Sequence, residues 1–416
     1  MKKFKLSRKL MMGAAVACAL SVSLSSCEED DTVDPPTGGG GGDATAVPTR
    51  LIGLDISANT TWSKDTVYVL TSRIKVRPPA TLSIQAGTII KGSEGQGSNA
   101  KVLMVMRGAK IMAEGTASEP IIFTSIKDNI QPGQVQSPNL PNDLVGQWGG
   151  LAILGNATIA TNTRTGSFDE AQIEGVPTTD TDGLYGGNND ADNSGILRYV
   201  SVRHGGTQLA SGNELNGISF GGVGSGTVLE NIEIVANADD GLEFYGGTVN
   251  ATNVLIWNNG DDGLDTDNGY RGTIDNFLLV GAAGSPMELD GPEGSTTTIT
   301  SNHTLRNGTV VTSRPDGTSS EDLLNYDANT NVTVENVNWK GVKAGQIIND
   351  NNVLNNVLSV TNLRVDVPAG SSLSSFISAT DPSINSAITA GTTNGANTSV
   401  FAGWTWAEAS GALTGL

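Results

Sequence analysis

One spacing constrains this chain more than any other feature. The run Asp239-Asp240-Gly241-Leu242-Glu243 returns 22 residues later as Asp261-Asp262-Gly263-Leu264-Asp265. A second column starts with Asn and runs into apolar residues. It reads Asn231-Ile232-Glu233-Ile234, Asn253-Val254-Leu255-Ile256 and Asn276-Phe277-Leu278-Leu279, at offsets of 22 and 23. Weaker copies follow at Asn307, Asn336 and Asn362, and Tyr199-Val200-Ser201-Val202 takes the same place upstream. A third column holds Gly217-Ile218-Ser219-Phe220, Gly241-Leu242-Glu243-Phe244, Gly263-Leu264-Asp265-Thr266 and Pro286-Met287-Glu288-Leu289. Repeats of this length, with two or three short strands and no helix, describe coils of a parallel β-solenoid. One coil alone buries almost nothing. Stacked about 4.8 Å apart, coils turn Ile232, Val254 and Phe277 into a continuous apolar column.

Composition agrees with an all-β chain. Gly makes up 53 of 416 residues, while aromatics are 5% and charged residues 16%, which excludes helical bundles and coiled coils. A hydrophobic share of 37% excludes disorder. Over residues 65–380, at roughly 25 residues per coil, about a dozen coils are expected. They would form a rod on the order of 60 Å long. Asn at a tight corner tolerates left-handed backbone angles. Stacked Asn amides can bond to one another as a ladder that staples the coils.

The N-terminal segment has a different character. Lys2, Lys3, Lys5, Arg8 and Lys9 precede an apolar run from Leu10 to Leu24, so residues 1–26 read as a signal peptide. Leu24-Ser25-Ser26-Cys27 resembles the lipobox of bacterial lipoproteins, which implies lipidation of Cys27. Cys18 lies inside the apolar run, so Cys27 would be the single Cys of the mature chain, with no internal disulfide. Several acyl chains would anchor it stably in a membrane. Glu28-Glu29-Asp30-Asp31 resembles the surface-export signal of Bacteroidota lipoproteins, implying an outer-membrane protein that faces the exterior. Residues 27–47 then form a tether with Pro35-Pro36 and Gly38 to Gly42. The net charge is -19, and without the first 26 residues 19 basic residues face 43 acidic ones. Such a surface repels phosphate backbones, so nucleic acid is excluded as a partner.

Between the tether and the central repeats stand Ala80-Thr81-Leu82-Ser83-Ile84-Gln85-Ala86-Gly87-Thr88-Ile89-Ile90, then Gly108-Ala109-Lys110-Ile111-Met112-Ala113-Glu114-Gly115-Thr116. Glu119-Pro120-Ile121-Ile122-Phe123-Thr124-Ser125 and Trp148-Gly149-Gly150-Leu151 follow. This pattern resembles secreted right-handed parallel β-helix proteins of the pectate-lyase-like superfamily. More closely, it resembles an uncharacterised group of Bacteroidota lipoproteins of that fold, over residues 55 to 345. The expected organisation is signal peptide 1–26, tether 27–47, parallel β-helix 48–380 and C-terminal cap 381–416. In that cap, Phe401-Ala402-Gly403-Trp404-Thr405-Trp406 and the following residues to Leu413 would plug the open end of the stack. Residues 126–146 and 155–195 break the rhythm and read as long loops leaving the stack on one side, where recognition usually lies.

With only His204 and His303, and one lipidated Cys, a His- or Cys-ligated zinc site is excluded. No nucleophile elbow, phosphate loop or His-Glu-x-x-His motif occurs. The acidic column is the clearest functional signal. Asp239, Asp240, Glu243, Asp261, Asp262, Asp265, Asp267, Glu288 and Asp290 fall on adjacent coils, where residues one period apart are neighbours about 5 Å apart. Either calcium, which takes carboxylate and carbonyl oxygens, or bonding to turn amides would relieve their repulsion. Asp190-Ala191-Asp192-Asn193-Ser194-Gly195 opens like a helix-loop-helix calcium loop, with Asp180 and Asp182 nearby, but Ser201 stands where such a loop needs Glu. Calcium-dependent lyases of the superfamily use an Arg or Lys base beside acidic calcium ligands. The resemblance therefore nominates Arg203, His204 and Arg271 as catalytic candidates, while a hydrolase would use paired carboxylates. Three functions compete: a surface protein that binds a polysaccharide or a surface partner, with calcium; a calcium-dependent polysaccharide lyase; and a structural surface rod or adhesin without a small ligand.

Overall fold

The computed structural model describes residues 47–416 apart from 162–163, 166–167, 177–179, 208–214, 294–298, 300–301, 315, 327–329, 350–356, 378–381 and 394. Cys27 and most of the tether lie outside the described residues.

The coils form two parallel sheets in which each strand pairs with the equivalent strand one coil away. The short sheet has nine strands, from Ile74–Val76 to Ile348–Asn349. In the central coils the long sheet is built from Gly195–Arg203, Val228–Val235, Asn250–Trp257, Thr273–Val280, His303–Val311 and Asn331–Lys340. Each of these strands bends once, at Tyr199, Asn231, Asn253, Asn276, Asn307 or Asn336, where φ lies between 49° and 59°. A coil therefore has three sides: the two halves of a bent long-sheet strand, and one short-sheet strand. This is the all-β parallel β-helix that the repeat predicts.

The corner asparagines do form a ladder. Asn253 donates to Asn231 at 3.0 Å, Asn276 to Asn253 at 2.7 Å, Asn336 to Asn307 at 2.7 Å and Asn362 to Asn336 at 2.9 Å. One rung is missing. Asn307 donates to Asp275 instead, and the Asn276 oxygen accepts the Asn397 amide at 2.6 Å.

Inside the coils apolar and aromatic side chains stack in columns. Phe220 lies on Phe244 at 5.0 Å, and Phe244 on Tyr270 at 4.7 Å. Gly308 takes the place that Phe277 and Val337 hold in the adjacent coils, because the Phe277 ring fills the space its side chain would need. His303 ends the aromatic file, fully buried, with Nε2 3.2 Å from the Thr266 hydroxyl. Burial depresses its pKa to about 3.

The tail departs from the expected plug. Ile388–Ala390 pairs with Leu363–Val365 and continues the long sheet. The chain then returns along the outside of that sheet, where Phe401, Trp404, Trp406, Ala407 and Leu413 pack on Val235, Leu255, Trp257, Leu278 and Val280. The cause lies in strands such as Val254-Leu255-Ile256-Trp257, which are apolar on both faces and need cover on both. A buried ion pair lies under this strap. Arg203 and Glu233, both fully buried, stand 3.5 Å apart, and Glu233 also accepts the Ala407 amide at 3.0 Å.

The two irregular stretches also fold onto the stack. Ile130 of the first covers Val67, Ile89 and Ile122. The second forms two small hairpins, and its Ile159, Ile173, Val176 and Tyr185 lie over Met104 and Ala152 on the outside of the short sheet. Ion pairs fasten it: Lys75 to Asp180 at 2.9 Å and Asp182 at 2.6 Å, Arg77 to Asp182 at 2.7 Å, and Arg107 to Glu170 at 2.6 Å.

Candidate functional site on the acidic face

The strands Leu242–Tyr245, Leu264–Asp267 and Met287–Leu289 pair in parallel, so that Glu243 aligns with Asp265 and Asp265 with Glu288. Strand alternation buries Leu242, Leu264 and Met287 in the core and turns the three carboxylates outward. Ser219 precedes them in this column and Asn325 follows. The preceding turn adds Asp240. The carboxylates of Asp240, Glu243 and Asp265 each place an oxygen within 4.8 Å of the others, and Asp239, Asp240 and Asp261 form a second such group.

The nine predicted acidic residues do not share one task. Asp240 accepts the Asp262 amide at 2.9 Å, and Asp262 accepts the Ser285 amide, so each fastens the next turn. Glu243 accepts from the Asn216 side chain and is hydrogen-bonded with Tyr245. Glu288 accepts from Asn325 at 3.2 Å. Asp267 stands two places beyond Asp265 on the same side of the strand, aligned with Tyr245. The Asp290 amide bonds to Thr266 at 2.7 Å and prolongs the sheet edge.

Among the described residues, two polar atoms in this site lack partners. Asp265 Oδ1 is buried and unbonded, and so is Oδ1 of Asn216, a residue only 1% exposed whose amide nitrogen faces Glu243. Among the described residues, no Lys or Arg pairs with Asp240, Glu243 or Asp265. Burial first, and neighbouring carboxylates second, raise all three pKa values well above the usual carboxylate range. Burial and hydrogen bonding with Glu288 push Asp262 to about 11, and burial with the nearby Glu293 pushes Asp267 to about 7. Carboxylates so placed must either keep protons or share a cation. An oxygen-only donor set suits a hard cation such as calcium.

The basic candidates lie elsewhere. Arg203 is on the long sheet under the strap, 2.8 Å from the Ser201 hydroxyl and 5.2 Å from the Trp406 ring. His204 is beside it, with Nδ1 2.7 Å from the Leu144 carbonyl. Arg271 binds Asp190 at 3.0 Å and the Thr158 carbonyl at 3.0 Å, which fastens the hairpin segment. These three residues are spent on packing and ion pairing, and none stands among the acidic ligands as a base. Asp190 is likewise held by Arg271, Asp192 bonds to Asn156 and Ser194, and Asp180 and Asp182 pair with Lys75 and Arg77. The stretch from Asp190 to Gly195 thus braces the hairpin segment. Sequence reasoning missed Asn216 and Tyr245. Only Tyr245 carried a signal, since it stands two residues after Glu243 and must face the same way.

Together these features define a parallel β-helix protein with an acidic outer face. The sequence matches the family described as Pectate-lyase like beta helix domain over residues 54–409, and the chain belongs to that family. No curated protein matches the sequence significantly. Among solved structures, the Dettilon tailspike protein (gp208) is similar at 11% identity and a TM-score of 0.29, covering 78% of this chain. The match spans 62% of the tailspike chain, less than two thirds of its length.

Proposed function

We propose that this protein is a lipid-anchored outer-membrane surface protein that binds a polysaccharide on its β-helix, with calcium held on the acidic face. The observation that carries the reading is the group Asp240, Glu243 and Asp265, whose oxygens lie within 4.8 Å of one another without a basic partner among the described residues, beside the unbonded Asn216 oxygen. A calcium ion there would neutralise the carboxylates and keep coordination positions for glycan oxygens. Lipidation at Cys27 and the Gly-rich tether would hold this face clear of the membrane, toward the exterior. Binding is favoured over lysis because Arg203, His204 and Arg271 are all engaged away from the acidic face.

The test is retention of the mature protein on immobilised pectin, alginate, chondroitin and neutral plant glycans, with calcium and with chelator. Calcium-dependent retention on at least one is expected, without a rise in ultraviolet absorbance from unsaturated sugar. An absorbance rise would favour the lyase. Clean negatives under both conditions would leave the structural rod.

A further inference from the structure

A second site lies on the other sheet. A cleft of about 340 Å³ opens between the strap and the segment 126–146, over the outside of the long sheet. Val280 and Val311 supply its apolar floor, and Asn142, Asn258, Ser313 and Arg314 its polar wall. That size and that mixture are those of a small-molecule site.

Two groups in the wall are poised for a ligand. Asn258 is 5% exposed, and its Oδ1 has no hydrogen-bond partner, while its nitrogen is fixed on the Asn142 carbonyl at 3.1 Å. The backbone explains why Asn stands there: φ is 60°, at the left-handed corner that closes the strand. Arg314 lies against the same corner, with its Nε on the Gly281 carbonyl at 2.7 Å and one terminal nitrogen on the Asn259 carbonyl. Both are neutral acceptors. Among the described residues Arg314 forms no ion pair, in a chain of net charge -19. Burial lowers its pKa, against the opposing pull of the nearby Asp316 and Asp143 carboxylates, neither of which forms an ion pair with it.

The geometry points to a subsite for a carboxylate-bearing sugar residue. Its carboxylate would meet Arg314, a hydroxyl would donate to Asn258 Oδ1, and its apolar ring face would lie on Val280 and Val311. An Arg fork matches a carboxylate better than a hydroxyl, which selects acidic over neutral sugars. This site uses no metal and does not depend on the acidic face of the short sheet.

The test is titration of the full chain with galacturonic acid, glucuronic acid, N-acetylneuraminic acid, galactose and glucose, in chelator, followed by saturation-transfer NMR. Binding of at least one acidic sugar is expected, with both neutral sugars at least about tenfold weaker. Ser313→Asp puts a carboxylate beside Arg314 at the cleft wall and should weaken the acidic sugar at least about tenfold, with an unchanged melting temperature. Arg314→Gln should weaken the acidic sugar likewise, with some loss of stability because the bonds to the Gly281 and Asn259 carbonyls go with the guanidinium. Neutral sugars binding equally well, no acidic sugar binding, or binding that survives Ser313→Asp would each overturn the assignment. Because chelator is present throughout, loss of the calcium reading would leave these outcomes unaltered.

Discussion

Asn253 gives the sharpest test of the corner ladder. It donates to Asn231 at 3.0 Å, accepts from Asn276 at 2.7 Å and holds φ at 58°. Asn253→Ala removes both bonds, about 1 kcal/mol each for half-buried amides. It also puts Ala, which lacks the short polar side chain that lets Asn occupy the left-handed region, at φ 58°, for about 1 kcal/mol more. The expected loss is about 3 kcal/mol. Asn253→Asp keeps the acceptor and loses only the donor, for about 1 kcal/mol. A double-mutant cycle separates the ladder from general strain. Asn253→Ala with Asn276→Ala shares one broken bond and should fall short of additivity by about 1 kcal/mol, while Asn253→Ala with Asn336→Ala shares none and should add within about 0.5 kcal/mol. Urea unfolding followed by circular dichroism reads each value. Equal additivity in the two pairs, or a loss below about 1 kcal/mol for Asn253→Ala, would refute the stacked-amide account.

Other consequences concern the strap, the core and pH. Glu233→Gln leaves the buried Arg203 without its counter-charge and should cost about 3 kcal/mol, opening residues 398–416 to limited proteolysis before the coils are cut; an unchanged digestion pattern would contradict the latch. Gly308→Ala drives a methyl into the Phe277 ring and should destabilise by about 1–3 kcal/mol, with Phe277→Leu restoring part of the loss in the double variant's thermal unfolding. In chelator, native Asp267 holds its proton up to about pH 7, whereas the unfolded residue loses it near the model-compound value of 3.8. The native state binds more protons across that window, so stability should rise as the pH falls from about 7 toward about 4. Asp267→Asn should flatten that slope in urea melts, and an unchanged slope would remove Asp267 as its source.

Much of this architecture is written in the period. Offsets of 22 and 23 residues place Asn231, Asn253 and Asn276 at one corner, and corner geometry then demands left-handed angles and amide stacking. The same two offsets put Glu243, Asp265 and Glu288 in one line, as the strand pairing shows. Within the acidic group, the offset alone did not separate Asp240 and Asp262, which fasten turns, from Glu243 and Asp265, which project from the sheet. The strand begins at Leu242, and only alternation counted from that point divides them. The strap was legible in part. Phe277-Leu278-Leu279-Val280 is apolar without alternation, a sign of cover on both faces, but nothing local says that Trp404 and Trp406 supply it. The surroundings of Arg203 and His204 were hidden for the same reason, because Trp406 packs on both from far along the chain and the Leu144 carbonyl holds His204. The hairpins over the short sheet depend on pairing between distant charges, such as Lys75 with Asp182, which no periodicity reveals.

The cation on the acidic face is the central claim, and the melting temperature of the full chain with and without calcium tests it most directly. A metal bound only by the folded state at a hundred times its dissociation constant adds about 2.7 kcal/mol. Calcium should therefore raise the transition of the wild-type chain. Asp265→Asn combined with Glu243→Gln should raise the chelated transition by relieving like-charge crowding, and should abolish the calcium response. Identical transitions in calcium and in chelator, or a calcium response that survives the double substitution, would contradict the claim.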